Sequence, residues 1–360
     1  MDNLSIAENF AKLFFVSFII NFILTKFLIK NADRLSLIDN PNIRKVHNVA
    51  MPVVGGLAIV LTISAIGIYL LFNGTISIYL SNQEIISIII STYILVTIGL
   101  MDDLFGLSPF NKFLFQLIAA IIFLVGVNIH FKSMFYIDFP YINFILNIFF
   151  IVGITNAFNL LDGLDGLAGG VSLIICFTMI ILFSLSNLDF FQIAILVTMA
   201  GSLFSFMFYN KSPAKTFLGD TGSLFLGWYF AIISIYFAQK TSLSLSILLP
   251  FMIMGVPAFD VLFVMLSRFI KRHNYNITFS HRFKGVFYPD NTHLHHLFIR
   301  GGVSKIKAVF YLYSITFATC IICLLSWINR NQVNFIYGII FILVLVFVVR
   351  SYLEFKIKNR

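Results

Sequence analysis

The sequence predicts an all-α integral membrane protein, one polytopic domain over residues 1–360 built as a bundle of about eleven transmembrane helices. Apolar residues make up 59% of the chain and charged residues 11%. The mean hydropathy of +0.97 lies outside the range of soluble globular domains. The apolar residues occur in runs of about 20, the length that crosses the hydrocarbon core of a bilayer. A soluble enzyme or soluble binding module is therefore excluded.

Each apolar run is expected to form one helix. The first run is too long for the core of a signal peptide and no small-residue cleavage site follows it, so it is expected to remain as a span. The ninth run is longer than the bilayer requires, carries Asp260 inside it and has Pro257 three residues earlier. A broken or kinked ninth helix, with Asp260 facing the bundle or a polar cavity, is expected. The runs cover residues 10–30, 53–73, 84–101, 113–130, 141–158, 167–186, 190–209, 222–238, 243–269, 308–327 and 334–350.

The distribution of positive charge predicts the orientation, because Lys and Arg are retained in cytoplasmic loops. An N-terminus outside and a C-terminus in the cytoplasm leave few of the 24 Lys and Arg on the outer side. The net charge of +9 then suits anionic lipid heads and phosphorylated substrates, and a nucleic-acid partner is not expected. The outer basic residues are Lys12, Lys132, Lys240 and Arg330.

The five inner loops predicted by this topology also carry most of the polar residues that membrane insertion does not explain. An active site at the cytoplasmic membrane face is therefore expected. Cys176, Cys320 and Cys323 lie inside predicted spans and are interpreted as core residues rather than a disulfide frame or metal site. The inner loops are residues 31–52, 102–112, 156–166, 210–221 and 270–307.

Five aspartates lie in three of these loops: Asp102 and Asp103, then Asp162 and Asp165, then Asp220. They are a third of the 15 acidic residues in the chain. Carboxylates cluster against their own repulsion where a cation or a proton-transfer reaction needs them. The structural alternatives are a solvated pair at a helix end, a turn with Asx caps, and an N-cap aspartate for the eighth span.

Polar neighbours accompany the aspartates. Asn159, Asp162 and Asp165 recur every three residues, and in a helix they would share one face. Lys112 follows the Asp-Asp pair, and Asn210 opens the loop that ends at Asp220. This pattern favours a site for a metal-bound anion at the membrane surface.

Basic residues form two further motifs. His293, His295 and His296 fall within four positions; anion or nucleotide contact is favoured there, and zinc binding or a structural role are the alternatives. Lys45 and His47 precede the Pro and Gly-Gly that open the second span. A phosphate contact is favoured for this pair, and the ordinary positive charge of an inner loop is the alternative.

Together these motifs resemble the polyprenyl-phosphate N-acetylhexosamine-1-phosphate transferase family, glycosyltransferase family 4. The segment from Arg44 to His47 is similar to the WecA and TagO branch rather than to MraY. Asn291 departs from that branch and leaves the acetamido sugar open. The residues that carry the resemblance are Asp102-Asp103 with Lys112, Asn159-Leu-Leu-Asp162-Gly-Leu-Asp165-Gly, Phe217-Leu-Gly-Asp220-Thr-Gly-Ser, Pro257-Ala-Phe-Asp260 and His293-Leu-His-His296.

The resemblance implies transfer of N-acetylglucosamine 1-phosphate, or a related acetamido-sugar 1-phosphate, from a UDP-sugar to undecaprenyl phosphate with release of UMP. The product would be the first lipid-linked intermediate of a cell-surface glycan such as lipopolysaccharide O-antigen or teichoic acid. Magnesium, with manganese as the alternative, would offset phosphate repulsion. The implied sites are catalytic Asp102, Asp103 and Asp165, metal-binding Asp162 and Asp220, and substrate-binding Lys45, His47, Lys112, Asn159, Asn210, His293, His295 and His296.

The implied setting is the bacterial cytoplasmic membrane, with the UDP-sugar and the polyprenyl phosphate lipid as partners and a homodimer as one alternative for the oligomeric state. Two other functions stay open. One is a phospho-MurNAc-pentapeptide transferase of the MraY type. The other is an ion-coupled transporter, whose carboxylates would be expected near the midplane.

Overall fold

The computed structural model describes residues 3–39, 50–127, 140–186, 190–240, 248–273, 292–329 and 332–359. Thirteen α-helices account for most of the described chain. They are α1 Asn3–Asn31, α2 Gly55–Phe72, α3 Asn82–Phe105, α4 Pro109–Val127, α5 Pro140–Leu161, α6 Leu167–Leu185, α7 Phe190–Asn210, α8 Gly219–Lys240, α9 Leu248–Ile253, α10 Gly255–His273, α11 Leu294–Arg300, α12 Lys305–Asn329 and α13 Gln332–Lys358.

Ten of these helices are long and apolar enough to cross a membrane, judged by length and composition. They coincide with ten of the eleven predicted spans, and the all-α membrane bundle is confirmed. The ninth predicted span corresponds to α9 and α10, which meet at Met254. Pro257 explains the interruption, because it has no N–H to offer the carbonyl of Ile253, where α9 ends. The predicted break is therefore confirmed.

The described residues group into two compact units, Met1–Ile247 and Leu248–Arg360; one domain over the whole chain stays a prediction. In the first unit, α7 and α8 are buried over most of their lengths, and α8 packs against α2, α3 and α5. A helix that is apolar on every side requires such a central position. Because α8 begins at Gly219, its buried position places Asp220 among the ends of its neighbours.

Close packing around the start of α8 depends on three glycines, Gly56, Gly99 and Gly222. A Cβ added to Gly56 would lie 2.2 Å from the backbone nitrogen of Gly222. A Cβ added to Gly99 would lie 2.6 Å from the Cα of Thr221. Real side chains do not approach backbone this closely, so glycine at these positions lets α2 and α3 contact the first turn of α8. This contact brings the end of α3 against Asp220.

The chain before α2 is joined to the chain before α8. A short antiparallel pair, β1 Ile38–Asp39 and β2 Met51–Pro52, is the one pair of strands among the described residues. The Phe217 N–H donates to the carbonyl of Pro52 at 2.9 Å, and the Gly56 N–H donates to the carbonyl of Leu218 at 2.9 Å. These bonds fix the loop that leads into Asp220.

The second unit contains α9 to α13. Helix α12 packs against α9 and α13, and α11 packs against both α12 and α13. Cys320 and Cys323 of α12 and Cys176 in the first unit are buried and form no disulfide within the described chain, which confirms their interpretation as core residues. The short helix α11 carries His295 and His296 and begins directly after His293.

Candidate active site

Lys112 joins two of the predicted carboxylates. Its Nζ donates to Asp102 Oδ2 at 2.7 Å and to Asp220 Oδ2 at 2.5 Å. Asp102 lies in the last turn of α3, Lys112 in the first turn of α4 and Asp220 in the first turn of α8. The side chains of all three are largely buried. An ammonium between two buried carboxylates offsets a repulsion of about 4 kcal/mol at an effective dielectric of 20.

Asp103 holds the first turn of α8. Its carboxylate accepts hydrogen bonds from the backbone N–H of Asp220 at 2.7 Å, the backbone N–H of Thr221 at 2.9 Å and the Thr221 hydroxyl at 2.6 Å. The first N–H groups of a helix have no partner within the helix, so a carboxylate from α3 supplies what an N-cap residue would. Asp103 therefore fixes the position of Asp220.

Asp162 differs from these residues because none of the described side chains or backbone groups donates a hydrogen bond to it. It is half-buried and lies directly after α5. Burial, followed by the negative charges of Asp220, Asp103 and Asp165, raises its pKa to about 7. A carboxylate with free oxygens beside other carboxylates is a suitable ligand for a hard cation.

The polypeptide from Asp162 to Gly166 forms a turn between α5 and α6 rather than a helix. Asp162 and Asp165 therefore do not share a helical face with Asn159, as they would in a helix, and the turn lies within the loop predicted over residues 156–166. Helix α5 ends at Leu161, because the glycines that follow favour a turn. Asn159 alone keeps a helical position, where its Nδ2 donates to Ser223 Oγ at 2.9 Å.

Asp165 and Asn210 connect this turn to the loop before α8. The Ala214 N–H donates to Asp165 Oδ2 at 3.2 Å. The Gly166 N–H donates to Asn210 Oδ1 at 3.0 Å, and Asn210 Nδ2 donates to the carbonyl of Thr216 at 2.9 Å. Both oxygen and nitrogen of the buried Asn210 amide are thus used to brace two loops. The substrate-binding role that the resemblance implied for Asn210 stays a prediction.

In the second unit, Asp260 contacts two other elements. Its Oδ2 lies 3.0 Å from His293 Nδ1, and its Oδ1 accepts the Leu294 N–H at 3.0 Å. Arg350 Nη1 of α13 lies 3.5 Å from the same Oδ1, and Arg350 Nε lies 3.1 Å from Glu354 Oε1. Asp260 faces the interior of this unit, as predicted, and holds the start of α11.

The histidine rings form a close group on α11. The rings of His293 and His295 lie 6.2 Å apart, and those of His295 and His296 lie 4.1 Å apart. Burial, followed by the charges that His296 and His293 would carry, lowers the pKa of His295 to about 3. His295 is therefore neutral at physiological pH, so one ring nitrogen can donate a hydrogen bond and the other can accept one.

Other predicted residues have no described position. Lys45 and His47 lie outside the described residues, as does Asn291, so their predicted roles remain predictions. Within the described residues, groups of three or more His, Cys, Asp or Glu close enough to enclose a metal ion are absent. The carboxylates instead fit the magnesium sites in which one or two carboxylates, waters and substrate phosphates share the coordination.

Comparison with known proteins gives the family. Residues 85–238 match the model of glycosyl transferase family 4. A relative in Bacillus subtilis (strain 168), named "Probable undecaprenyl-phosphate N-acetylglucosaminyl 1-phosphate transferase", is 34% identical over 84% of this chain and 81% of the relative. The chain belongs to glycosyl transferase family 4. An "Undecaprenyl-phosphate alpha-N-acetylglucosaminyl 1-phosphate transferase" of Thermotoga maritima is 31% identical over 82% of this family 4 chain and 84% of the relative.

Family 4 relatives with another name also match. A "Phospho-N-acetylmuramoyl-pentapeptide-transferase" of Staphylococcus haemolyticus (strain JCSC1435) is 35% identical over 64% of this chain and 77% of the relative. Membership of family 4 confirms the resemblance to polyprenyl-phosphate N-acetylhexosamine-1-phosphate transferases that the motifs indicated.

The family 4 fold also uses residues to which the sequence analysis assigned no role. Thr221 and Ser223 follow Asp220 and bond Asp103 and Asn159. Arg350 is buried in a predicted span, and a charged residue inside a span is a signal of a buried partner. A buried partner for Arg350 could therefore have been predicted from the sequence. Thr221 and Ser223 belong to the motif that follows Asp220, but their individual partners could not be predicted, because hydroxyl residues are common in membrane helices.

Proposed function

We propose that this chain transfers N-acetylglucosamine 1-phosphate, or a related acetamido-sugar 1-phosphate, from a UDP-sugar to undecaprenyl phosphate. UMP leaves and a lipid-linked diphosphate sugar remains. The arrangement of Lys112 between Asp102 and Asp220, beside the unpartnered carboxylate of Asp162, is the observation that carries this proposal. Two relatives whose names state this transfer match more than four fifths of the chain and support it.

The reaction brings two phosphate groups together, and the described residues suit that task. An oxygen of the lipid phosphate attacks the phosphorus attached to the sugar, and the bond from that phosphorus to the UMP oxygen breaks. Asp102 removes the proton of the lipid phosphate or orients that phosphate for attack. Lys112, whose Nζ lies within 2.7 Å of Asp102, supplies positive charge where the two anions meet.

Other residues hold this arrangement. Asp103 fixes the first turn of α8 through three hydrogen bonds, and Asn159 donates to Ser223 one turn farther along. Asp165 and Asn210 brace the two loops beside them. Positioning of this kind contributes to rate because a displacement of about 1 Å costs about 100-fold.

Asp162 and Asp220 are the proposed ligands for magnesium, directly or through water. Their carboxylate oxygens are the ligands that Mg²⁺ prefers, and Asp162 has oxygens that the described residues leave unbonded. Bound magnesium would reduce phosphate repulsion and polarise the phosphorus that is attacked. Manganese is the alternative ion.

The site is proposed to lie at the cytoplasmic face of a bacterial cytoplasmic membrane. The ends of α3 and α5 and the starts of α4 and α8 form it, and the positive-charge rule assigns these ends to the cytoplasm. UDP-sugars are water-soluble, so this face gives the donor access, and the prenyl chain stays in the bilayer.

In a second candidate reaction, UDP-MurNAc-pentapeptide is the donor. The relatives with that name support it at similar identity, but their matches cover 64% to 77% of this chain, against 84% for the Bacillus subtilis relative. The N-acetylglucosamine donor is therefore favoured.

The test is UMP release by the purified protein in detergent with undecaprenyl phosphate and magnesium, comparing UDP-N-acetylglucosamine with UDP-MurNAc-pentapeptide. Lipid-dependent release with the first donor is expected. Asp102→Asn and Asp220→Asn should abolish it, and Asp33→Asn, at an exposed aspartate just beyond α1, should leave it unchanged. Absence of release with either donor, from folded protein, would overturn the proposal; release with the pentapeptide donor alone would favour the second candidate.

A further inference from the structure

Gln116 of α4 and Asn156 of α5 form an amide pair close to the candidate active site. Asn156 Nδ2 donates to Gln116 Oε1 at 2.6 Å, and Gln116 Nε2 donates to Asn156 Oδ1 at 3.4 Å. Asn156 Nδ2 also donates to the carbonyl of Val152 at 2.8 Å. Gln116 is 1% exposed and Asn156 is half-buried. The proposed reaction assigns no role to this amide pair.

The amide pair lies one helical turn from residues of the site on both helices. Gln116 follows Lys112 by four residues, so the two side chains share one face of α4 and lie about 6 Å apart along its axis. Asn156 precedes Asn159 by three residues on α5, and α5 ends directly before Asp162. The pair therefore joins the helix that carries the ammonium to the helix that leads to Asp162.

Three side-chain contacts connect α4, α5 and α8 around the site. Lys112 of α4 donates to Asp220 of α8, and Asn159 of α5 donates to Ser223 of α8. The amide pair is the third contact, between α4 and α5. Apolar packing of these two helices tolerates small shifts, whereas a hydrogen bond weakens steeply when its distance or angle changes. The amide pair therefore fixes the register of α4 against α5.

We infer that Gln116 and Asn156 are positioning residues that hold the Lys112 ammonium at its place between Asp102 and Asp220. This inference rests on the proposed function, in which the ammonium supplies positive charge where the lipid phosphate meets the phosphate of the donor. A displacement of about 1 Å in such a site costs about 100-fold in rate. Both amides act through Lys112 rather than through contact with the substrate.

The first measurement is the rate of UMP release by Gln116→Met and Asn156→Leu. Each change removes the hydrogen bonds and nearly keeps the side-chain volume. We expect kcat to fall by about 10-fold in each variant, with little change in the KM for UDP-N-acetylglucosamine. Asn147→Leu is the matched control. Asn147 is a fully buried amide of the same helix without a partner among the described residues, about 14 Å along α5 from Asn156, and its substitution should leave kcat unchanged.

A double-mutant cycle with Lys112→Gln tests whether the amide pair acts through Lys112. If it does, Gln116→Met causes no further loss once the ammonium is absent, and the double variant should release UMP at the rate of Lys112→Gln alone. A merely structural role would instead multiply the two losses.

Exchange of the two amides gives a conservative rescue. Gln116→Asn alone shortens one side chain and should lower kcat. Gln116→Asn together with Asn156→Gln keeps the summed length of the two side chains and both amide groups, so kcat should recover. Rates of all variants are divided by the folded fraction, measured from their thermal unfolding curves.

The results separate this inference from the proposed function. If the unmodified protein releases UMP and Gln116→Met and Asn156→Leu release it at nearly the same rate, the inference is overturned and the proposed function stands. Multiplied losses in the cycle, or an exchange variant as slow as Gln116→Asn alone, also overturn the inference. Absence of release from folded, unmodified protein would overturn the proposed function and the inference with it.

Discussion

At the scale of single residues, Lys112 is the side chain whose charge the site depends on. Removing it leaves Asp102 and Asp220 facing each other without the shared ammonium. Truncating one partner of a buried charge pair costs about 2–5 kcal/mol. Lys112→Gln is therefore expected to lower the rate of UMP release by about 100-fold, equivalent to about 2.7 kcal/mol.

Lys211→Gln is the matched control for this prediction. Lys211 is exposed, and its ammonium lies 5.9 Å from the ring of Phe208 rather than beside a carboxylate. Its substitution should change the rate little. A rate for Lys112→Gln within a few-fold of the unmodified protein would contradict the role assigned to the ammonium.

Asp103 and Asp102 are adjacent, yet their contacts predict different consequences. Asp103 satisfies two backbone N–H groups of α8, and Asp103→Asn replaces one accepting oxygen with a donating NH₂ group. The loss should destabilise the protein by about 1–3 kcal/mol and lower its thermal unfolding temperature. Asp102 accepts the Leu107 N–H at 2.6 Å and pairs with Lys112, so Asp102→Asn should abolish UMP release and lower the unfolding temperature as well. Retention of UMP release in Asp102→Asn, or an unchanged unfolding temperature in Asp103→Asn, would contradict these roles.

His295 predicts a dependence of stability on pH. Its pKa is about 3 in the folded protein and about 6.5 in an unfolded chain. Below about pH 6.5 the unfolded state binds the additional proton, so the free energy of unfolding falls as pH decreases toward 3. The rings of His293 and His296 face His295, and Asp260 contacts His293.

The measurement compares the thermal unfolding temperature at about pH 7 and about pH 5. The decrease between these values should be smaller for His295→Asn than for the unmodified protein. His296→Asn, at a more exposed position of the same helix, serves as control. An unchanged decrease in the His295 variant would show that other groups cause the acid sensitivity.

At the scale of helices, the distance between α3 and α8 decides whether Asp103 reaches Asp220. Gly99→Ala would place a methyl group 2.6 Å from the Cα of Thr221, so the helices must separate. Such overpacking costs about 1–3 kcal/mol. We expect a lower unfolding temperature and a loss of UMP release larger than the loss of folded protein.

Gly153→Ala is the control at this scale. Its added Cβ meets nothing within 4 Å, and alanine favours a helix over glycine by about 1 kcal/mol. The variant should keep its activity and unfold at an equal or higher temperature. If Gly99→Ala behaved in the same way, the close contact of α3 and α8 would not be required.

The interruption of the ninth span positions Asp260 within the second unit. Ending α9 at Ile253 allows α10 to begin a new helix that carries Asp260 to His293, Leu294 and Arg350. Removing these partners would leave the carboxylate of Asp260 buried and unpaired, which would strongly destabilise the folded protein. The contacts therefore tie α10, α11 and α13 at the residues that begin the histidine helix.

At the scale of the whole molecule, the sequence predicts the helices better than their contacts. Long apolar runs and the Pro257 break follow from local chemistry, and ten spans agree with the structure. The loop predicted over residues 156–166 is present, although α5 continues to Leu161 before the turn begins. The closeness of Gly99 to Thr221 could not be predicted, since it depends on how distant helices pack.

The residues of the site, like the helices, were easier to predict from the sequence than the contacts between them. The carboxylates were identified from their concentration in inner loops, where no structural need accounts for all five. The role of Lys112 in joining Asp102 to Asp220 could not be predicted from motif spacing, because Lys112 and Asp220 are 108 positions apart in the sequence. The transporter alternative expected carboxylates near the midplane, whereas Asp102, Asp103 and Asp220 lie at helix ends. Asp260, within α10, is paired.

The orientation of the whole bundle is the remaining prediction, and the structure makes it testable with thiol labelling. Cys176, Cys320 and Cys323 are buried, so the native thiols should react slowly with a membrane-impermeant maleimide. Asn73, after α2, and Asn111, in the first turn of α4, are exposed at opposite ends of the first unit. Positive charge assigns the Asn111 end to the cytoplasm.

Asn73→Cys should therefore be labelled in intact cells, and Asn111→Cys should be labelled only after the membrane is permeabilised. Both variants replace an exposed asparagine, so differences in reactivity report access rather than burial. UDP-sugars are made in the cytoplasm and do not cross a bilayer unaided, because burying their charged phosphates in hydrocarbon is costly. Labelling of Asn111→Cys alone in intact cells would place the carboxylates outside, and a donor confined to the cytoplasm could not reach them.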